Sequence, residues 1–303
     1  MKARVLSAIA ALAALAACSP PDSPTSPTPS SPSFSQNPND EIQNDPKVHV
    51  HLPRGHARPS SGGSPLLVYH GGAIMTSSAV QVIYWGTSWG NASFVGDKIS
   101  GLDAFYGGIS NTKYMGTNTE YTGNNGRVGT SVAYQGHIVD NLSAAPRGSP
   151  KTADIQAEVC KLISNPQTNG YYPVYVDTPR GHAGYCAWHS YGSCNGTPVQ
   201  FAFFFNLDGD NGCDPGSPAS AGHSQGLAAL ANVSGHELSE AVTDPRNGGW
   251  WDASGAENSD KCAWTFGPSL VTLGSQSWKI QGNWSNAAYN NRSGYDKSGC
   301  IAG

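Results

Sequence analysis

The chain has 303 residues and a formal net charge of −4. Only 13% of its residues are charged, about half the share that is typical of soluble domains. The sequence shows no basic patch, which excludes nucleic acid as a partner. Its 37 glycines and 21 prolines predict a loop-rich protein.

The chain begins with the pattern of an export signal. Lys2 and Arg4 precede an apolar run over residues 5–17, which is too short for a membrane-spanning helix of about 20 residues. The run leads into Leu15-Ala16-Ala17-Cys18, which resembles the lipobox of bacterial lipoproteins, where the cysteine carries the lipid. The alternative is an ordinary signal peptide followed by an unrelated cysteine. We therefore predict a signal peptide over residues 1–18 and an extracytoplasmic protein, lipid-anchored to a bacterial membrane or secreted, which contacts the membrane only through a lipid anchor.

The next segment, residues 19–64, is rich in Pro, Ser and Asn and poor in large apolar side chains. Such a composition predicts a disordered tether, because too little surface can be buried to offset the loss of chain entropy. Within it, Val48-His49-Val50-His51 and His56 could bind a metal ion, but we interpret them as disordered histidines. The globular domain is predicted over residues 65–303.

Strand and helix patterns alternate along this domain. Residues 79–85 are rich in β-branched and aromatic side chains and predict a strand, whereas residues 152–163 place their apolar side chains on one helical stripe. The other predicted elements are a helix over 97–106, strands over 171–176 and 199–205, a long helix over 219–242, and a short hairpin over 277–281 with Trp284. This order predicts an α+β fold with a mixed sheet.

The seven cysteines support export. If Cys18 is lipidated, an even set remains, which suits an oxidising compartment and predicts disulfide stabilisation. None of these cysteines has a CxxC spacing, so we assign all of them a structural role, with a pairing that the sequence does not reveal. The set is Cys160, Cys186, Cys194, Cys213, Cys262 and Cys300.

The long helix carries the segment with the clearest chemistry, His236-Glu237-x-x-Glu240. Residues four apart lie on one helix face, so His236 and Glu240 can share one metal ion. Glu237 stands where zinc proteases of the HExxH type carry their general base. Glu257 or Asp260 would be the third ligand, and the other of the two would hydrogen-bond the imidazole. The arrangement resembles that of the glutamate-zinc peptidases, which implies a zincin-like fold with a long active-site helix.

The chain departs from that pattern at Glu240, where the peptidases carry a second histidine. One histidine and two carboxylates would neutralise a divalent ion, so its bound water would be less acidic and hydrolysis slower. The oxygen-rich ligand set also weakens the preference for zinc over manganese or calcium. Because of the likeness to zinc peptidases, we still predict zinc as the cofactor. Calcium and manganese are the alternatives. His189, in a loop beside Cys186, would polarise a substrate carbonyl or simply be a packed histidine.

Short motifs resemble a second family, the plant exordium-like (phosphate-induced) secreted proteins. They are Tyr69-His70-Gly71-Gly72, Val80-Gln81-Val82-Ile83-Tyr84-Trp85-Gly86, Cys186-Ala187-Trp188-His189, the strand over 201–205 and Ala241-Val242-Thr243-Asp244-Pro245. This resemblance implies an extracellular protein of a family with no established enzymatic activity. The plant proteins generally lack the HExxE residues, so the resemblance implies no catalytic role for them.

Three hypotheses follow. The first is a metal-dependent hydrolase, a zinc metallopeptidase acting on a peptide or protein, in which Glu237 activates a metal-bound water. The second is a non-catalytic cell-surface protein whose structural ion supports a cleft that binds cell-wall glycan or peptide. In the third, no metal binds and the carboxylates cap and hydrogen-bond loops.

Overall fold

A six-stranded mixed sheet forms the centre of the computed structural model, which describes residue 42 and residues 45–56, 64–216, 221–295 and 298–303. The strands in chain order are His49–His51 (β1), Val68–Tyr69 (β2), Ser78–Trp85 (β3), Thr122–Gly123 (β4), Gly126–Arg127 (β5), Val132–Asp140 (β6), Gly170–Pro179 (β7), Ala187–Cys194 (β8), Thr197–Asn206 (β9), Trp250–Trp251 (β10), Val271–Leu273 (β11), Gln276–Trp278 (β12), Asn283–Trp284 (β13) and Cys300–Ile301 (β14). The α-helices are Ala92–Val95 (α1), Lys98–Ile109 (α2), Lys113–Gly116 (α3), Thr152–Leu162 (α4), Gln225–Thr243 (α5) and Asn286–Asn290 (α6). Thr87–Gly90 and Asp260–Cys262 form short 3₁₀ helices.

The strands of the central sheet lie in the order β1-β8-β9-β7-β3-β6. From β9 to β6 neighbouring strands are parallel, whereas β8 is antiparallel to both β9 and β1. The predicted α+β fold with a mixed sheet is therefore confirmed. Its antiparallel edge, formed by β1 and β8, contributes histidines to the site described below.

The middle strands have the apolar sequences expected of strands that are covered on both faces. Val174 of β7 pairs in register with Phe203 of β9, and neither side chain is exposed to solvent. The strands predicted over 171–176 and 199–205 therefore lie inside longer observed strands. The predicted hairpin over 277–281 is shifted, because β12 pairs with β11 and β13 pairs with β14.

Helix α5 is buried along its length, with every residue from Gly226 to Thr243 shielded from solvent. It starts at Gln225 rather than at 219 because Ser224 has an extended backbone and its side chain accepts a hydrogen bond from the Leu227 N–H. It ends just before Pro245, whose ring is incompatible with a helix interior. The helix packs against the central sheet, α2 and β12, so polar residues on several of its faces are buried.

Three disulfides link the cysteines of the domain, as predicted. They join Cys160 to Cys194, Cys186 to Cys213, and Cys262 to Cys300. The second bond connects the start of β8 to the loop after β9, and the third connects the segment after α5 to β14. Disulfides of this number suggest an oxidising, extracytoplasmic environment.

The structure corrects two sequence-based predictions at the edge of the sheet. Residues 49–51, which we assigned to a disordered tether, form β1, and His49 and His51 are both buried. Residues 187–194, which we treated as a loop around His189, form β8. The tether prediction for 19–64 therefore fails at β1, because backbone pairing with β8 orders a segment whose own composition gives it little apolar surface.

The predicted signal peptide over residues 1–18, including Cys18, lies outside the described residues, as does most of the predicted tether. Among the residues that the structure describes, no helix is long and apolar enough to cross a membrane.

Candidate metal centre

Three parts of the chain bring histidines and carboxylates together in the interior. They are the edge strands β1 and β8, the helix α5, and the segment that runs into the 3₁₀ helix Asp260–Cys262. The seven residues involved offer ligand atoms in overlapping groups of three, within 4.8 Å of one another in each group. They are His49, His189, His236, Glu237, Glu240, Glu257 and Asp260.

The first group, which we call the helix group, consists of His236, Glu240 and Asp260. His236 Nε2 lies 3.0 Å from Glu240 Oε1 and 3.8 Å from Asp260 Oδ1. The backbone N–H of Asp260 donates to Glu240 Oε1 at 2.9 Å, which joins the 3₁₀ helix to α5. Asp260, rather than Glu257, therefore completes the set that the HExxE spacing predicts.

The second group, which we call the strand group, consists of His49, His189 and Glu257. His49 of β1 and His189 of β8 are register partners, and their rings stack with centroids 5.1 Å apart. His49 Nδ1 and His189 Nε2 each lie 2.9 Å from Glu257 Oε2. Two imidazoles thus converge on one carboxylate oxygen at the antiparallel edge of the sheet.

Glu237 and Glu240 connect the two groups. While Oε1 of Glu240 faces His236, its Oε2 lies 3.5 Å from His189 Nε2. Glu237 forms a third group with His189 and Glu240, and it is fully buried. Neither carboxylate oxygen of Glu237 has a hydrogen-bond partner among the described residues. A buried carboxylate without a partner carries a large desolvation cost, so this position calls for a cation or a donor.

His236 is held in place from two sides. Gln281 donates its amide to His236 Nδ1 at 2.9 Å and to the carbonyl of Ser259 at 2.9 Å. On the other side, His51 Nδ1 lies 3.2 Å from His236 Nε2. Because Nδ1 accepts from the amide, a neutral His236 ring carries its proton on Nε2, facing Glu240. The ring therefore has little freedom to turn. Metal binding through Nε2 would require this proton to move to Nδ1 and the Gln281 amide to turn, so that its oxygen accepts from Nδ1.

The electrostatics of the centre set Glu237 apart from its neighbours. Burial raises the pKa of Glu237 well above its ordinary value; attraction to His189 opposes this rise, and repulsion from Glu240, Asp260 and Glu257 adds to it. A carboxyl with a raised pKa suits a general base that must take a proton near neutral pH.

The other carboxyl groups are held by histidines. Burial acts to raise the pKa values of Glu240 and Glu257, but attraction to His236 in the first case and His49 in the second lowers both below their ordinary value. Burial likewise acts to lower the pKa of His189, and Glu257 reverses this, so the pKa is raised well above its ordinary value. Imidazole and carboxylate therefore stabilise each other's charged forms across the strand group.

Two aspartates near the centre, Asp244 and Asp252, have other partners. Asp244 Oδ1 accepts from the backbone N–H groups of Gly248 and Gly249, both at 2.7 Å, and so fixes the turn after α5. Asp252 forms an ion pair with Lys261 at 2.7 Å. Structural contacts explain Asp252 and Oδ1 of Asp244, whereas Asp244 Oδ2 is buried and has no hydrogen-bond partner among the described residues.

The structure thus brings together all the residues predicted from sequence and adds His49. Glu257 lies with His49 and His189 rather than with His236, and His189 lies on a strand rather than in a loop. The signal that could have identified His49 is the alternation in Val48-His49-Val50-His51, which places both histidines on one face of a strand.

The chain was compared with protein-family models, with curated proteins and with solved structures, and no match was found. The resemblances to exordium-like proteins and to zinc peptidases therefore stay predictions.

Proposed function

We propose that this chain is an exported metal-dependent hydrolase, a zincin-like metallopeptidase whose general base is Glu237. The observation that carries the proposal is the state of that carboxylate: it is fully buried, and both of its oxygens lack a hydrogen-bond partner among the described residues. A residue that served only to stabilise the fold would be paired at such a depth.

The helix group supplies the ligands in this proposal. Zinc held by His236, Glu240 and Asp260 would lower the pKa of a bound water and so make it a nucleophile at neutral pH. Glu237 lies in the group next to these residues and shares Glu240 with them. It is therefore placed to take up the proton of a water and pass it to a leaving amine. The raised pKa of its carboxyl supports both transfers.

A second candidate function is favoured by the burial of the ligands. His236, Glu240 and Glu257 are completely shielded from solvent, and closed metal sites are generally structural, whereas catalytic sites keep an open position. In that case the ion would hold β1, α5 and the 3₁₀ helix together in a non-catalytic surface protein that binds glycan or peptide elsewhere. For the hydrolase, substrate has to enter through movement of β1 or of the segment around Glu257.

Glu237→Gln distinguishes the two functions. The amide keeps the size of the side chain but accepts no proton, so we expect peptide cleavage to fall by about 10²–10⁴-fold. Metal content by mass spectrometry and the thermal unfolding temperature should not fall. The measurement is hydrolysis of a fluorogenic peptide library by the wild type and the variant.

The matched control is Glu158→Gln, which alters another buried glutamate, paired with Lys161 and remote from the centre. It should change stability and leave cleavage as it is. Unchanged cleavage by Glu237→Gln would exclude Glu237 from the mechanism. A wild type that contains metal but cleaves nothing would favour the structural ion.

A further inference from the structure

We propose that the strand group binds a second divalent cation, so that the centre is dinuclear. The inference rests on the proposed metal site of the helix group and extends it to His49, His189 and Glu257. These residues come from β1, β8 and the loop before the 3₁₀ helix. Two imidazoles and one carboxylate form a ligand set that suits zinc.

The distances in the strand group are close to those of a coordination shell. Ligand atoms that surround one tetrahedral zinc at 2.0–2.2 Å lie about 3.3–3.6 Å from each other, so an ion would need each imidazole nitrogen to move away from Glu257 by roughly half an ångström. His49 Nδ1 and His189 Nε2 both lie 2.9 Å from Glu257 Oε2. All three side chains are buried, so the group is preorganised.

Unpartnered atoms point to a ligand at this place. Glu257 Oε1 is buried and has no hydrogen-bond partner among the described residues. The nearby carboxylate of Glu237 lacks a partner at both oxygens. Each such group costs about 1–3 kcal/mol when it is left unpaired in the interior, and more when it is charged. A cation in the strand group would reduce this cost.

Two divalent ions would also balance the full negative charge that the four carboxyl groups of the centre can carry. Glu237, Glu240, Glu257 and Asp260 have side chains that are at most 4% exposed. If all four are ionised, one divalent ion balances two of the charges and leaves two. Among the described residues, the ion-pair partners of Glu240 and Glu257 are histidines, with no Lys or Arg. A second divalent ion would balance the other two negative charges. Alternatively, protonation of both histidines of the strand group would balance them.

Glu240 has the geometry of a bridge between the two groups. Its Oε1 lies 3.0 Å from His236 and its Oε2 lies 3.5 Å from His189, so each oxygen faces a ligand of a different group. Hydrolytic two-metal centres hold their ions about 3.5–4 Å apart, a separation that one carboxylate can span. In such centres one ion can position the attacking water while the other polarises the scissile bond.

The experiment counts zinc ions in variants that keep the hydrogen bonds of the strand group. In His49→Asn the side-chain N–H takes the place of Nδ1, and in His189→Gln it takes the place of Nε2, so each can still donate to Glu257. Neither amide is a good zinc ligand. We expect the full chain to bind two zinc ions, by calorimetric titration after chelation and by mass spectrometry, and each variant to bind one.

His137→Asn is the matched control, because His137 Nδ1 also lies 2.9 Å from a carboxylate, that of Asp103, but near the surface. It should keep two ions. Thermal unfolding of each variant and of the wild type, both measured in EDTA, shows whether the metal-free fold is preserved. A loss of bound zinc can then be separated from a loss of the fold.

Each outcome decides the matter. Two ions in the wild type and one in His49→Asn support the second site. One ion in the wild type, retained in His49→Asn and lost in His236→Gln, overturns the second site and leaves the proposed hydrolase centre standing. One ion that is lost in His49→Asn but retained in His236→Gln overturns the dinuclear centre and the proposed ligands together. No bound ion overturns both proposals.

Discussion

Two groups of buried carboxylates in this molecule are stabilised in different ways. Asp140 and Glu158 share Lys161, whose Nζ lies 2.6 Å from an oxygen of each, and we call this set the lysine cluster. Asp140 also accepts hydrogen bonds from the backbone N–H of Leu142 and from Ser143. The histidine cluster comprises the helix group, the strand group and Glu237. Among the described residues, the ion-pair partners of its Glu240 and Glu257 are histidines. Its carboxylates face imidazoles and backbone N–H groups, except that of Glu237, which has no hydrogen-bond partner among the described residues.

The difference lies in how this protein stabilises buried acids that serve only its structure. In the lysine cluster a permanent cation and local donors satisfy the carboxylate of Asp140 completely, and the pKa of that group falls well below its ordinary value: burial opposes the fall, and Lys161 and Ser143 outweigh it. In the histidine cluster Glu237 is left without any partner among the described residues. Histidine, unlike lysine, can give up its proton and bind a metal, so the cluster is chemically suited to metal binding.

Removal of metal should lower the stability of the protein more than any other change predicted for the two clusters. Treatment with EDTA should destabilise the wild type, because the carboxylates of the histidine cluster then lose their cations. An ion present at a thousandfold excess over its Kd contributes about 4 kcal/mol, which corresponds to a fall in Tm of about 10 °C for a domain of this size. Calorimetry with and without EDTA, followed by addition of zinc, measures the effect and its reversal. A Tm that does not respond to EDTA would mean that protonated histidines alone balance the cluster.

Lys161→Met should have a smaller effect, confined to the lysine cluster. The substitution keeps most of the apolar stem but leaves Asp140 and Glu158 without their cation, at a cost of about 2 kcal/mol. The partial exposure of Lys161 keeps the loss below that of a fully buried pair. Urea unfolding measures it, and Lys47→Met, at an exposed lysine, should change stability by less than about 0.5 kcal/mol. The response to zinc should be the same as in the wild type. A loss of zinc response would contradict the separation of the two clusters.

The sequence predicted elements well where local periodicity was strong. The strand predicted over 79–85 is observed as Ser78–Trp85, and the helix predicted over 152–163 is observed as Thr152–Leu162. The i, i+4 spacing of His236 and Glu240 was also readable, because a helix alone brings them together. Local patterns of this kind need no information about distant partners.

The other half of the centre depends on distant pairing, and local patterns do not reveal it. β1 has three residues in a stretch rich in Pro and Asn, and only its register with β8 orders it and places His49 opposite His189. The choice between Glu257 and Asp260 as the ligand beside His236 depended on how the loop after α5 turns. That turn is determined by contacts such as the hydrogen bond from the Asp260 N–H to Glu240, which join residues twenty positions apart.

The smallest expected effect is a loss of stability at acid pH that is caused by protonation of Asp140. Its pKa is lower in the folded chain than in the unfolded chain, so its contribution to stability is complete above about pH 4 and is lost as the pH falls toward the folded value. We expect the free energy of unfolding to fall between pH 4 and pH 2, and the fall to be smaller in Asp140→Asn by about 1 kcal/mol. Urea unfolding at each pH should be measured in EDTA, because protonation of metal ligands would otherwise release ions and add a second pH dependence. If Asp140→Asn and the wild type lose stability in parallel, the lysine cluster does not hold that carboxylate as the structure indicates. The contrast with the histidine cluster would then rest on Glu237 alone.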